Sequence, residues 1–306
     1  MKIIDAMNSS EKKYVTAVAL GNFDGIHIGH QYLLKSNIEK AKEENLKPSV
    51  LIFKNHTKTI LKKDENFKID ILTSFEEKIQ LLKELGIEIV YVMDFNEQIM
   101  KLSPELFVKN ILLERLNAKL VTVGFDYRFG YKAQGDSNYL KELGKANGFV
   151  VNVIDPVYVE GEIVSSTIIR NLIINGYIEK ANKLLGRNYC LIGTVIKGRS
   201  RGRKLGFPTA NIRLNDRYVI PKTGVYKTFT YVDNSKFLSL TNIGYNPTFN
   251  EKNLKIETYI LDFDEDIYDS IIKIEFMEFI RDDIKFNSVE ELKNQMHKDV
   301  LYIKNN

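Results

Sequence analysis

Apolar residues recur along this chain in two different rhythms. In the first half, short apolar runs at 15–20, 50–53, 89–93, 120–123 and 149–154 alternate with segments whose apolar positions follow a helical period. Helices are expected at 30–44, 75–85, 104–116 and 139–147. In the second of these Ile79, Leu82 and Leu85 share a face, and Gly86 stands where a C-cap glycine belongs. Strands alternating with helices predict a parallel sheet of the doubly wound type. Two further helical stretches follow Ser165, separated by the turn pair Asn175-Gly176, and the second ends at Gly186. Beyond it, 189–197, 225–232, 237–243, 254–263 and 271–280 read as strands divided by Gly, Asn, Asp and Pro, which predicts an antiparallel barrel or sandwich. Ser288 and Glu291 form a capping box before a last helix with Val289, Leu292, Met296, Val300 and Ile303 as its buried stripe. The pattern predicts an α/β domain over 1–185 and a β domain over 186–306, dividing near 183–190.

Length agrees with two domains, since 306 residues exceed one comfortable core. Hydrophobic residues at 44 % and charged residues at 27 % are a soluble globular balance. No apolar run approaches the ~20 residues of a membrane span, and the first residues do not form a signal peptide. The single cysteine, Cys190, excludes an intrachain disulfide and points to the cytoplasm. A net charge of +4 is too small to argue for nucleic acid as a partner. Monomer and weak oligomer both remain open. Positive charge is dense only between Lys197 and Lys204.

The first candidate chemistry lies at 21–30, between a strand and a helix. Gly21, Gly25 and Gly29 allow tight turns and close approach of a ligand. A helix N-terminus offers free N–H groups and partial positive charge, both suited to phosphate. His27 and His30, three apart at that terminus, can donate to phosphate oxygens and stabilise charge developing on phosphorus. Surface histidines, a plain turn, or a zinc site that lacks an evident third ligand remain alternatives. A second segment, Gly124 to Gly130, follows the fourth strand at its carboxyl end, where ligands of open parallel sheets bind. A third, Ser165-Ser166-Thr167-Ile168-Ile169-Arg170, opens a helix with hydroxyls that cap or bind phosphate and a guanidinium that grips it.

Gly21-Asn22-Phe23-Asp24-Gly25-Ile26-His27-Ile28-Gly29-His30 resembles a nucleotidyltransferase motif. With the other two segments, in this order, it resembles the adenylyltransferase module of bacterial bifunctional riboflavin kinase/FAD synthetases. The resemblance implies that Gly21, Phe23, Asp24, Gly25, His27, Gly29 and His30 hold ATP phosphates, joined by Ser165, Ser166, Thr167 and Arg170. It places Asp126 and Phe129 near FMN or the nucleotide. The family's Pro-His-Pro is here Lys54-Asn55-His56-Thr57, so His56 is kept as a candidate without its flanking prolines.

The basic stretch runs from Gly193 to Asn211 and ends in Gly206-Phe207-Pro208-Thr209-Ala210-Asn211. Its glycines and cations suit a loop that folds over polyphosphate. A solvated basic loop and an RNA-binding arm are the alternatives, the latter lacking interleaved aromatics. Thr209 and Asn211 offer neutral oxygens on one face of an extended segment, and magnesium takes few protein ligands beside phosphate oxygens. The stretch is similar to the riboflavin kinase motif. That similarity implies ATP contacts from Gly198, Lys204, Gly206, Pro208, Thr209 and Asn211, with Mg2+ on Thr209 and Asn211. It makes Glu257 the group that accepts the ribityl hydroxyl proton, and Asn242, Gly244 and Arg281 flavin contacts. The implied activity is phosphorylation of riboflavin to FMN and adenylylation of FMN to FAD, both with ATP. A flavin- or nucleotide-binding regulator is the alternative.

Overall fold

The computed structural model describes residues 1–7, 14–54, 70–198, 206–233, 235–248 and 251–305. His56, Lys204 and most of the basic clump therefore lie outside the described residues. The chain divides into two compact units, Met1–Ser165 and Ser166–Asn306.

In the first unit β1 (Lys2–Asp5), β2 (Thr16–Leu20), β3 (Lys47–Phe53), β4 (Ile89–Met93), β5 (Ala118–Gly124) and β6 (Val150–Ile154) form one parallel sheet. Its order is β1-β4-β3-β2-β5-β6. Strand β1 adds an edge that the apolar pattern did not predict, since it pairs only with β4 and its residues are mostly exposed. The chain runs from β2 to one side through β3 and β4, then returns to the other side with β5. Neighbours β2 and β5 thus flank a topological switch point, where the carboxyl ends of the strands leave a crevice. Helices α1 (Ile28–Glu43), α2 (Phe75–Leu85), α3 (Pro104–Phe107) and α4 (Ser137–Asn147) connect the strands. The segment expected as one helix over 104–116 is α3 continued by a π-helical turn, Val108–Leu113.

Helix α1 is fixed on the sheet by a polar side chain as well as by Leu33, Leu34 and Ile38. Buried Asn37 donates to the carbonyls of Ala17 (3.1 Å) and Ser49 (3.3 Å) and accepts from the Thr122 hydroxyl (3.0 Å). One amide thereby ties α1 to β2, β3 and β5 and sets where its N-terminus stands. Helix α2 ends as expected at Gly86, which turns out with φ 100°, and it begins at an N-cap the sequence reading did not name, Ser74, which accepts from the N–H of Glu77.

The second unit opens with α5 (Ser166–Ile174) and α6 (Ile178–Leu185). Its strands are β7 (Tyr189–Ile196), β8 (Thr209–Leu214), β9 (Gly224–Val232), β10 (Ser235–Thr248), β11 (Glu251–Ile260) and β12 (Ile271–Arg281). They close into an antiparallel barrel in the order β7-β8-β11-β10-β9-β12. Strand β8 contains Thr209-Ala210-Asn211, so the suspected metal-binding stretch is itself a barrel strand. Helix α7 (Val289–Asn305) ends the chain. Ser288 accepts from the N–H of Glu291 (3.1 Å), and the Glu291 carboxylate accepts from the N–H of Asn287 (2.9 Å), so the box closes one residue earlier than its usual form. Ile303 is buried and Val300 packs beside it, but Val289 is 59 % exposed and does not belong to the stripe.

The barrel interior is partly polar. Thr228 and Thr230 on β9, Ser239 and Thr241 on β10, and Thr258 on β11 are fully buried. Their hydroxyls form a closed ring: Thr228–Ser239 (2.8 Å), Ser239–Thr230 (2.8 Å), Thr230–Thr258 (3.3 Å), Thr258–Thr241 (3.0 Å) and Thr241–Thr228 (2.8 Å). Each hydroxyl has one proton to donate, so the ring satisfies every member at once. Below it lie Tyr189, Tyr226 and Phe276, with Tyr189 donating to the Val219 carbonyl at 2.7 Å.

Candidate active sites

The loop between β2 and α1 holds two non-glycine residues in strained backbone. Phe23 and Ile26 have φ of 47° and 35°, on either side of Gly25 at 87°. A β-branched residue in that region is a genuine outlier, and each such residue costs about 1–3 kcal/mol. The loop is held in this shape from several sides. The Asp24 carboxylate is buried and accepts from the backbone N–H of Leu72 (3.0 Å). Gln31 donates to the carbonyl of Ile26 at 2.9 Å. A Cβ on Gly21 would lie 3.2 Å from the Phe23 ring, and one on Gly29 3.3 Å from the His27 ring. These glycines are therefore sites of close packing beneath and beside the histidines.

His27 is the N-cap of α1, its Nδ1 accepting from the N–H of His30 at 3.2 Å. That bond leaves the ring proton on Nε2. The two imidazoles stack, centroids 3.6 Å apart and 15° between planes, and the Phe23 ring meets His30 edge-on. His30 Nδ1 is buried with no hydrogen-bond partner among the described residues. Burial holds His30 well below the ordinary imidazole pKa, reinforced by the neighbouring charges of His27 and Lys78. Two rings stacked this closely disfavour a positive charge on both, and with burial this makes His30 neutral.

The fourth-strand segment divides. Asp126 is exposed at the carboxyl end of β5, the strand beside β2, in a turn where the Tyr127 N–H donates to Gly124. Phe129 points the other way, into the core against Phe107, with Gly135 packed on its ring. Ser165 closes the first unit, and Ser166, Thr167 and Arg170 stand in the opening turns of α5 in the second.

In the second unit the expected kinase residues form a row. Asn211 on β8 is opposite Glu257 on β11, which is opposite Asn242 on β10. Their neighbours Ile212, Thr258 and Thr241 are buried, so alternation turns the row outward. Gly198 lies against the Asn211 amide, leaving no space for a Cβ. Asn242 Oδ1 is buried and has no hydrogen-bond partner among the described residues. Thr209, two before Asn211, faces the same way and pairs with Tyr259. Gly206 turns with φ 85°, and Pro208 is exposed just before β8.

Two residues of this face were not anticipated. Lys255 pairs with Glu257 (Nζ to Oε2, 2.7 Å) and stands opposite Gly244. Asp283 lies over Gly244, where a Cβ would come within 3.1 Å of its Oδ2. Burial raises the Asp283 pKa, against the pull of Arg281 and Lys255. Two-residue spacing from Glu257 is a signal for Lys255; Asp283 carries none. Arg281 itself is committed to structure: Nε and Nη2 grip buried Asp299 on α7, at 3.1 and 2.7 Å, and Gln295 completes that carboxylate.

The loop at α1 can cradle polyphosphate with donors and partial charge. The barrel row can bind a hydroxyl and a cation through neutral oxygens beside one carboxylate. Among the described residues no group of three or more His, Cys, Asp or Glu is placed to hold a metal, which leaves a zinc reading of His27 and His30 without a third ligand. No described helix is long and apolar enough to cross a membrane.

Residues 9–168 match the FAD synthetase family model, and residues 185–306 match the riboflavin kinase model. The bifunctional riboflavin kinase/FMN adenylyltransferase of Listeria monocytogenes is 41 % identical over 92 % of this chain and 89 % of its own length. That of Bacillus subtilis is 37 % identical over 94 % and 92 %. A crystal structure described as a macrolide-efflux protein from Streptococcus pneumoniae superposes with a TM-score of 0.92 at 32 % identity, covering 99 % of this chain and 98 % of that one.

Proposed function

The chain belongs to the bifunctional riboflavin kinase/FMN adenylyltransferase family, phosphorylating riboflavin to FMN and adenylylating FMN to FAD with ATP, and we propose that the two steps run on the two sites described above. The row Asn211–Glu257–Asn242 serves the kinase step. Glu257 takes the proton of the ribityl hydroxyl as that oxygen attacks the γ-phosphorus of ATP and ADP leaves. The orphaned Oδ1 of Asn242 orients the flavin substrate through a hydrogen bond it lacks in the free protein.

Thr209 and Asn211 fit a magnesium ion: both offer neutral oxygens on one face, and Mg2+ needs few protein ligands when phosphates supply the rest. When bound, the ion neutralises phosphate charge. Gly206 and Pro208 shape the entry to that strand, with Gly198 giving room beside the Asn211 amide and Gly244 beside the Asp283 carboxylate. Arg281 acts as the anchor of α7, holding the segment before it against the barrel.

The loop at 21–30 serves the adenylyl step. FMN phosphate, already an anion, attacks the α-phosphorus of ATP and pyrophosphate leaves, a reaction that needs positioning and charge more than a base. His27 and His30 hold the leaving phosphates, supported by Phe23 and by the glycines that let the loop close on them. Asp126, at the adjacent strand end, suits the flavin or ribose side of this site. The assignment of Ser165, Ser166, Thr167 and Arg170 to ATP rests on the resemblance. A cytoplasmic enzyme is the reading that dependence of both steps on ATP supports.

The observation that carries the kinase assignment is the strand register that sets Glu257 between two asparagines. The test is a time course of the purified chain with riboflavin, ATP and magnesium, flavins separated by chromatography. FMN first and FAD later supports the reading. Undiminished FMN formation after exhaustive chelation would remove the metal from it.

A further inference from the structure

The stacked histidines leave the adenylyl site short of charge. Stacking disfavours a positive charge on both rings, and His30 is held neutral in the free protein. The end of α1 adds about half a charge. Pyrophosphate brings several negative charges at neutral pH, so a standing cation is expected at the loop, and one is present outside the glycine-rich segment.

Lys78 lies in the first turns of α2, far from the motif in sequence. Its ammonium donates to the carbonyl of Asn22, the second residue of the strained loop, at 3.1 Å. No further hydrogen bond or ion pair holds it among the described residues, so the other two of an ammonium's three donors are open. Asp24 contributes a favourable field, but that carboxylate is engaged by the Leu72 backbone N–H. The positive charge of Lys78 also reaches His30, whose basicity it depresses. Lys78 is half-buried at the rim of the loop, and that burial lowers the basicity of its amine.

We propose that Lys78 is a phosphate-binding residue of the adenylyl site, contacting the pyrophosphate end of ATP together with His27 and His30. The proposal rests on the reading of the 21–30 loop as the polyphosphate site and adds to it the site's fixed positive charge. Its bond to the Asn22 carbonyl holds the ammonium at the loop before the ligand arrives, so little side-chain freedom is lost on binding.

The test uses the full-length chain and inorganic pyrophosphate, with binding measured by isothermal titration. Lys78→Met should weaken pyrophosphate by about ten- to a hundredfold, the loss of one hydrogen bond to a charged group. Lys78→Arg should restore most of it, and the unfolding transition of the first unit in the same preparations reports a folded chain. A double variant, His27→Ala with His30→Ala, separates the two ideas. If it loses pyrophosphate while Lys78→Met keeps wild-type affinity, the Lys78 proposal falls and the site stands. If the double variant also keeps it, the site reading itself falls. A structural role through Asn22 is tested on the wild-type protein with 13Cε-labelled lysine, the Lys78 signal being identified by its absence in Lys78→Arg. A titration midpoint that moves upward with pyrophosphate supports the contact, and one unmoved at saturation overturns it.

Discussion

In the first unit the groups proposed to bind phosphate come from a loop bent through unfavourable backbone at Phe23 and Ile26 and followed by a helix. In the second the proposed site residues come from three strands lying side by side, each contributing one residue to a straight row. The loop gathers two imidazoles and an ammonium, those of His27, His30 and Lys78. The row gathers two neutral amides about one carboxylate. The difference follows the chemistry. A reaction whose nucleophile is already an anion needs charge around its leaving group, whereas an alcohol needs a proton acceptor and an orienting partner. It also follows the fold: a parallel sheet gathers its groups at strand ends, where loops must bend to reach a ligand, while a barrel wall presents them directly by alternation.

The comparison is broken most directly at Glu257. Glu257→Gln should cut FMN formation by about 10²–10⁴-fold while adenylylation of supplied FMN continues. Loss of both steps, followed by chromatography with each flavin as substrate, would show that the sites are not separate. The converse change, His27→Ala with His30→Ala, should lower FAD formation by about 10²–10³-fold and leave FMN formation in place. FAD formation surviving that change would remove phosphate binding from the loop.

A stability measurement sharpens the contrast between strained loop and regular barrel. Thr228→Val removes one hydroxyl from the buried ring and takes one partner from each of its two neighbours, with an expected cost of about 1–3 kcal/mol, read from denaturant unfolding of the second unit. An unchanged midpoint would mean that the ring adds nothing beyond packing. The smallest effect is one of pH. Because the folded protein depresses His30, its neutral form is favoured, and the stability of the first unit is full above pH ~6.5 and declines as pH falls through that value. Pyrophosphate favours the protonated ring, so its affinity should rise over the same fall in pH, by no more than about tenfold per pH unit for one proton. Calorimetry in buffers of different ionisation enthalpy detects that uptake, and its absence would show His30 unprotonated in the complex.

These features were unequally legible in the residues. The loop at 21–30 and Asn211 fall within local motifs, Glu257 and Asn242 follow only from the family resemblance, and the alternation of strands and helices forecast the architecture. Lys78 resembles any lysine of an amphipathic helix, and only folding brings it to Asn22. Strand β1 is a short edge with little apolar periodicity to announce it. The barrel reverses the usual pattern: in Thr228-Phe229-Thr230-Tyr231 hydropathy alone would turn the rings inward, yet the threonines are buried and the aromatic rings lie on the outer face under Lys236. Their hydroxyls satisfy one another, which no single strand reveals. The ion pair of Arg281 is equally hidden, since its partner, Asp299, is on a helix that the strand pattern does not reach.

The hydroxyl ring bears on the site it never touches. Glu257 and Thr258 are adjacent on β11, one outside and one inside, and Thr241 and Asn242 stand in the same relation on β10. A slip of one residue between these strands would send Glu257 into the interior and break the circuit of hydroxyls in the same movement. An apolar interior would resist that slip only through shape, whereas a closed circuit admits one pairing of its members. The inner wall of the barrel thus acts as a proofreader of the outer one, and a variant that loosens the ring without unfolding the barrel would make itself known as misplaced catalysis before it showed as lost stability.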